Sequence, residues 1–194
     1  SQQNRNKHIA AVVEALDVGP INLVGNSMGG STSMGVAIER PELVDKLILM
    51  GSAGVRKAPS EELKSIMNYD YTLDGMRKIV KGLTNPNFEV DEKMVSYRHA
   101  LSLQEDTRAA YDAIMGWIGR NGGLYYEEDF MRRVSQRTLV VGGKLDKVVP
   151  IECGYRLLEL IEHSWGYFLP NCGHWAMIEH PEDFANITAH FLKS

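Results

Sequence analysis

Cysteine is scarce: Cys153 and Cys172 are the only two in the chain. Two thiols are too few for a disulfide scaffold or a thiolate metal site. With 7 prolines and 18 glycines in 194 residues, the composition is neither collagen-like nor of low complexity. No apolar run approaches the roughly 20 residues that span a bilayer. Neither sign of charge dominates, since 21 Lys and Arg against 25 Asp and Glu leave a formal net charge of -4. That balance gives no general reason to expect nucleic acid or an anionic membrane surface as a partner. The polar start, Ser1-Gln2-Gln3-Asn4-Arg5, contains no secretory signal, so a reducing, cytoplasmic setting is expected. Ser1 in place of Met marks the chain as processed, tagged or cut.

With 44% hydrophobic residues, the chain can close a sizeable core. Ile9, Val12, Val13 and Leu16 recur at helical spacing. Asp17-Val18-Gly19-Pro20 breaks that helix, and the apolar run 21–24 predicts a buried strand. A helix is expected over 28–39, ended by Arg40-Pro41, and a strand over 46–50. Helix and strand alternating in this way call for a parallel sheet with helices on its faces. The alternation stops near Gly51. Between Val55 and Gln136 no buried strand is expected. Ser60 and Thr72 are candidate caps there, and a long helical stretch is expected over 91–120, closed by Asn121-Gly122-Gly123. Strands then return at 138–141 and 167–169, with helices over 155–161 and 181–192. Pro181 suits the first turn of the last helix. The expected division is a core α/β part over 1–54, a helical insertion over 55–136 and a second core part over 137–194.

Gly25-Asn26-Ser27-Met28-Gly29 lies between a strand and a helix. In that setting the G-x-S-x-G pattern describes a tight turn that lifts the central side chain above the strand end. Glycine at both flanks is expected to let the backbone pass closely. The Ser27 hydroxyl would then stand at a helix N-terminus, with the Met28 N–H aimed at any negative charge that develops there. A phosphate loop is the competing reading of Gly25 to Thr32. It fails because Ser31 stands where the essential lysine belongs.

A nucleophilic serine needs a base, and the base needs an orienting group. In this topology the order is Ser, acid, His, each on a loop after a strand. Asp146 follows the strand at 138–141 and His174 follows the strand at 167–169. Type, order and strand-end position together make Ser27, Asp146 and His174 the candidate catalytic set. The other five histidines read as surface or packing residues. His174 and His180 lack the spacing of a zinc pair on a helix, so no metal and no cofactor is expected.

These segments resemble a known family. Gly25-Asn26-Ser27-Met28-Gly29-Gly30, Leu47-Ile48-Leu49-Met50-Gly51, the run Gly143 to Pro150 and the run Cys172 to Pro181 are similar to the meta-cleavage product hydrolases. These are α/β-hydrolase-fold enzymes of bacterial aromatic-compound degradation. The resemblance implies an α/β-hydrolase fold, represented by the C-terminal portion of its mostly parallel sheet, with an inserted helical lid. It also implies hydrolysis of a carbon–carbon bond in a 2-hydroxy-6-oxo-hexa-2,4-dienoate, a small-molecule substrate. Ser27 would attack the C6 ketone, His174 would act as base, Asp146 would hold its imidazole and Met28 N–H would serve as an oxyanion donor. Arg98 stands where the family places a carboxylate-binding arginine, which suits a planar bidentate anion. Asn26 and Trp175 would line the dienoate pocket. A homodimer or higher oligomer is implied as well. A carboxylesterase of the same fold, which needs the triad but not Arg98, is the alternative, as is a binding protein or impaired fragment on this scaffold. The family sheet has strands ahead of the nucleophile and a second oxyanion loop. Only one helix precedes Ile21 here, so the chain is expected to be a C-terminal portion of a longer enzyme.

Overall fold

The computed structural model describes every residue from Ser1 to Ser194. Helix α1 (Gln2–Leu16) leads into β1 (Ile21–Asn26), α2 (Met28–Glu39) and β2 (Val44–Met50). Five helices follow before the next strand: α3 (Glu61–Met67), α4 (Leu73–Leu83), α5 (Glu92–Ser102), α6 (Glu105–Arg120) and α7 (Glu128–Met131). The chain closes with β3 (Arg137–Gly143), α8 (Ile151–Leu160), β4 (Ser164–Leu169), α9 (Ala176–Glu179) and α10 (Pro181–Lys193). The four strands form one sheet in the order β1-β2-β3-β4, and every pair is parallel.

The strands are apolar because both faces are covered. Leu47, Leu49 and Val140 point into one buried cluster with Met34 and Val36 of α2 and Leu157 of α8. Ile48, Met50, Leu139 and Val141 alternate to the other face, against Ala176 and Phe191 of the last two helices. Side chains as completely buried as Leu47, Ile48 and Leu49 each contribute roughly 1.5–3 kcal/mol of transfer free energy.

The expectation of a buried first strand needs correction. β1 pairs only with β2 and is an edge strand, with Val24 52% exposed. Val12 and Leu16, on the expected apolar stripe of α1, are exposed too, while Ala10 and Val13 are buried. An apolar run gives a strand's type but not which of its sides has a neighbour.

The helices between β2 and β3 lie on the strands' C-terminal side of the sheet. Ser60 and Thr72 are caps: their side-chain oxygens accept N–H bonds from Leu63 at 3.2 Å and Gly75 at 2.9 Å. In α4, Met76, Ile79, Val80 and Leu83 form one stripe. It packs on Val95 of α5 and on Val148 and Trp175 from the loops after β3 and β4. The single helical stretch expected over 91–120 is instead two helices, broken at Leu103-Gln104. Ser102 Oγ donates to His99 O at 2.7 Å and pairs with Tyr69 OH at 2.9 Å. Such side-chain bonding to the preceding turn competes with helix continuation.

Candidate active site

In a parallel sheet all C-terminal strand ends share one edge, and ligands bind in the crevice outside that edge. Ser27 follows the last residue of β1, Asp146 lies three residues beyond β3, and His174 lies five beyond β4. Ser27 adopts φ 55 and ψ -118, a left-handed conformation that costs a non-glycine residue on the order of 1–3 kcal/mol. The surroundings enforce it. Ser27 N–H donates to Met50 O at 3.0 Å, and Ala53 N–H donates to Ser27 O at 3.0 Å.

The glycines of this turn are not equivalent. A Cβ on Gly25 would sit 2.5 Å from Gly29 O, and one on Gly30 would overlap the Ser52 side chain. One on Gly29 would meet nothing within 4 Å. The tight passage therefore depends on Gly25 and Gly30, not on both flanks of the motif as the pattern implied. Gly25→Ala is expected to destabilise by about 2–3 kcal/mol, lowering Tm by roughly 5–10 °C. Gly29→Ala should leave Tm within about 2 °C. Thermal denaturation of the two variants side by side checks the contrast.

His174 and Asp146 form a buried pair. Their side chains are each 1% exposed, and Nδ1 lies 2.7 Å from Asp146 Oδ2. The other carboxylate oxygen, Oδ1, accepts the N–H groups of Val148 and Val149, both at 2.8 Å. An ionised carboxylate can only accept. In the neutral imidazole the Nδ1–Oδ2 contact therefore places the proton on Nδ1 and the free lone pair on Nε2. Gly51 makes room for the pair. It has φ +48, and a Cβ there would fall 2.9 Å from His174 Nδ1 and 3.2 Å from Asp146 Oδ2. Sequence reasoning gave Gly51 no role, although a glycine directly after a buried strand is a visible signal.

Ser27 and His174 line the same cavity, but no hydrogen bond joins the hydroxyl to Nε2. Two of the three groups are thus in contact, and the third link is open. Such bonds are often long before substrate binds and tighten in the complex. The Met28 N–H, in the first turn of α2, has no protein acceptor, as is usual for a leading helix amide. Asn26 lines the cavity, but its amide donates to Met50 O at 3.0 Å and His174 O at 3.3 Å. Its donors tie β1 to the His174 loop, leaving only Oδ1 toward a ligand.

The cavity is about 250 Å³ and is lined mostly by apolar side chains, among them Ile79, Leu83 and Val149. Two arginines interrupt that wall, Arg56, which is exposed, and Arg98 of α5, which is half-buried. The Arg98 guanidinium stacks on the Trp175 ring, 4.8 Å from the centroid. Nε is buried without a hydrogen-bond partner, and burial pushes the guanidinium below its ordinary value. An Nε shut off from water without a partner carries a cost, and a ligand anion would supply what it lacks. Cys153, also on the cavity wall, is no rival nucleophile, because burial pushes its thiol up to about 11. No group of three or more His, Cys, Asp or Glu side chains lies close enough to hold a metal ion.

Comparison with known proteins follows the same lines. Residues 4–181 match the alpha/beta hydrolase fold family. The chain is 51% identical over 193 residues to the 2-hydroxy-6-oxo-6-(2'-aminophenyl)hexa-2,4-dienoic acid hydrolase of Metapseudomonas resinovorans, covering 99% of this chain and 67% of that protein. It is 30% identical to a 2-hydroxymuconate semialdehyde hydrolase of Pseudomonas putida, covering 99% of this chain and 69% of that protein. Among solved structures, a serine hydrolase involved in carbazole degradation superposes with a TM-score of 0.91 at 48% identity, covering 100% of this chain and 71% of that one. A meta-cleavage product hydrolase from Pseudomonas fluorescens IP01 gives a TM-score of 0.92 at 26% identity, covering 100% and 72%. The chain spans about two thirds of the length of these relatives. The α/β architecture, the G-x-S-x-G turn and these likenesses agree: the chain belongs to the α/β-hydrolase fold family and, within it, to the meta-cleavage product hydrolases.

Proposed function

We propose that this chain hydrolyses the C5–C6 bond of a 2-hydroxy-6-oxo-hexa-2,4-dienoate carrying an aryl group at C6, using Ser27, His174 and Asp146. The observation that carries the reading is the unpaired Arg98, stacked on Trp175 in the same apolar cavity as Ser27 and His174. A plain ester hydrolase has no use for a half-buried, unpaired cation there. A dienoate brings a carboxylate that pairs with it, and an apolar body that suits the remaining wall. The name of the 51% identical relative supports an aryl substituent.

The chemistry follows from the groups present. The dienol first ketonises, with His174 Nε2 moving the proton to C5. Ser27 Oγ then bonds to C6 while Nε2 takes its proton, and the oxyanion that forms lies toward the Met28 N–H. Collapse breaks C5–C6. The electron pair passes into a dienolate conjugated with the carboxylate side, and the imidazolium returns a proton to it. Water attacks the acyl-serine with His174 as base, releasing a carboxylic acid and free Ser27. Asp146 keeps the proton on Nδ1 throughout. The helical block 55–136, which supplies Arg98 and Ile79, acts as a lid over the sheet edge and excludes bulk water.

Steady-state assays test the reading. The coloured dienoate should be consumed with kcat/KM well above that for a p-nitrophenyl ester. Arg98→Met should raise KM for the dienoate by about 10- to 100-fold, the loss expected for a charged hydrogen-bond partner, while ester hydrolysis changes by less than about threefold. A preference for the ester, or equal losses on both substrates, would favour a carboxylesterase.

A further inference from the structure

The loop that carries His174 is held by one carboxylate outside the triad. Glu179, the last residue of α9, accepts through Oε1 from the N–H groups of Gly173 at 3.0 Å and Trp175 at 3.2 Å. Through Oε2 it accepts from Gly173 N–H at 3.0 Å, Asn85 N–H at 2.7 Å and Asn85 Nδ2 at 2.9 Å. No Lys, Arg or His pairs with it. The residues on either side of His174 are thus bonded to the same group as the chain leaving α4. His174 N–H itself donates to Leu83 O at 2.8 Å. The approach is close, since a Cβ on Gly173 would lie 2.6 Å from Thr84 C and 2.7 Å from Asn85 N. Leu83 and Ile79 of that same helix line the cavity.

We infer that Glu179 is a positioning residue that locks the His174 loop to the end of α4, so that the base and the wall over the substrate move as one unit. The inference rests on reading Ser27 as nucleophile and His174 as its base. Four donors converge on two oxygens that only accept. Glutamine has nearly the same shape, but it replaces one acceptor by an NH2 group that faces N–H donors. The seam then opens on one side, and the imidazole loses its fixed bearing on Ser27 although neither residue is altered.

The test compares Glu179→Gln, Asn85→Ala and the double variant with the unmodified protein. The readouts are the rate of Ser27 labelling by a fluorophosphonate across a pH series, and thermal denaturation. Glu179→Gln should label about 10- to 100-fold more slowly, the range typical for residues that orient a reactive group. The rising limb of its pH profile, which reports the base, should shift as well. Asn85→Ala removes the Nδ2 bond to Glu179 together with the bond that Oδ1 accepts from Asn87 N–H, and should slow labelling about threefold or more without moving Tm by more than a few degrees. The double variant should label no more slowly than Glu179→Gln, because contacts of one unit do not add. If Glu179→Gln does not fold, Asn85→Ala decides. Wild-type labelling by Glu179→Gln or by Asn85→Ala overturns the inference, as does a lowered Tm with rate and pH profile unchanged, or losses that multiply in the double variant. Failure of the unmodified protein to label would instead count against Ser27 as nucleophile.

Discussion

Replacing Ser27 by Ala should lower kcat on a dienoate by about 10⁴- to 10⁶-fold, the range seen when a triad nucleophile is removed. Ser27 stands at the strained turn between β1 and α2, directly before Met28, whose N–H has no protein acceptor. Cys153 is the one thiol on the cavity wall, and burial holds it up to about 11, so it is not a thiolate at neutral pH. Binding should survive. Arg98, Trp175 and the apolar wall are untouched by the loss of one oxygen. The dissociation constant from a spectroscopic titration of Ser27→Ala should therefore stay within about tenfold of the wild-type KM. A variant that turns over at more than a hundredth of the wild-type rate would place the nucleophile elsewhere.

The second large effect is expected for Asp146→Asn. The two amides of Val148 and Val149 need an acceptor where Oδ1 stands, so the new carboxamide oxygen takes that place. Its NH2 group then faces His174 Nδ1, which must accept. The ring proton moves to Nε2, and the lone pair that should receive the Ser27 proton is gone. A fall in kcat of about 10⁴-fold is expected from the wrong tautomer alone, with KM changed far less. Asp146→Ala is a poorer probe, because it strands two buried N–H groups and costs stability as well. Steady-state kinetics with a thermal melt on the same sample separates the two effects. A kcat within tenfold of wild type would show that Asp146 does not set the tautomer.

Much of this was legible in the residues. Ser60 and Thr72 cap their helices because a hydroxyl before a helical run has a local job that tertiary structure seldom overrides. The strand–turn–helix around Ser27, and the chain order Ser27, Asp146, His174 beyond the ends of β1, β3 and β4, follow from a motif and a topology that constrain each other. What was not legible depended on neighbours remote in sequence. That Ile21–Val24 lacks a neighbour on one side followed from the absence of earlier strands, whereas its apolar run gave no sign that Val24 would be exposed. The break at Leu103-Gln104 contains neither Gly nor Pro, and Ser102 supplies it by bonding backward and to Tyr69. The pattern treated Gly25 and Gly29 alike, whereas contact with Ser52 makes Gly30 the second essential position. Asn26 was expected to line the pocket and does, and what its sequence position did not show is that its donors are engaged by the Met50 and His174 carbonyls. Glu179 carries no signal of its own, since the donors it gathers come from a loop and from a helix end about ninety residues away.

The most direct test is to react the intact protein with a fluorophosphonate and locate the adduct by peptide mass spectrometry. A single adduct on Ser27, lost in Ser27→Ala and formed far more slowly in Asp146→Asn, is the predicted result. No adduct, or one on any other residue, would contradict the assignment of nucleophile and base.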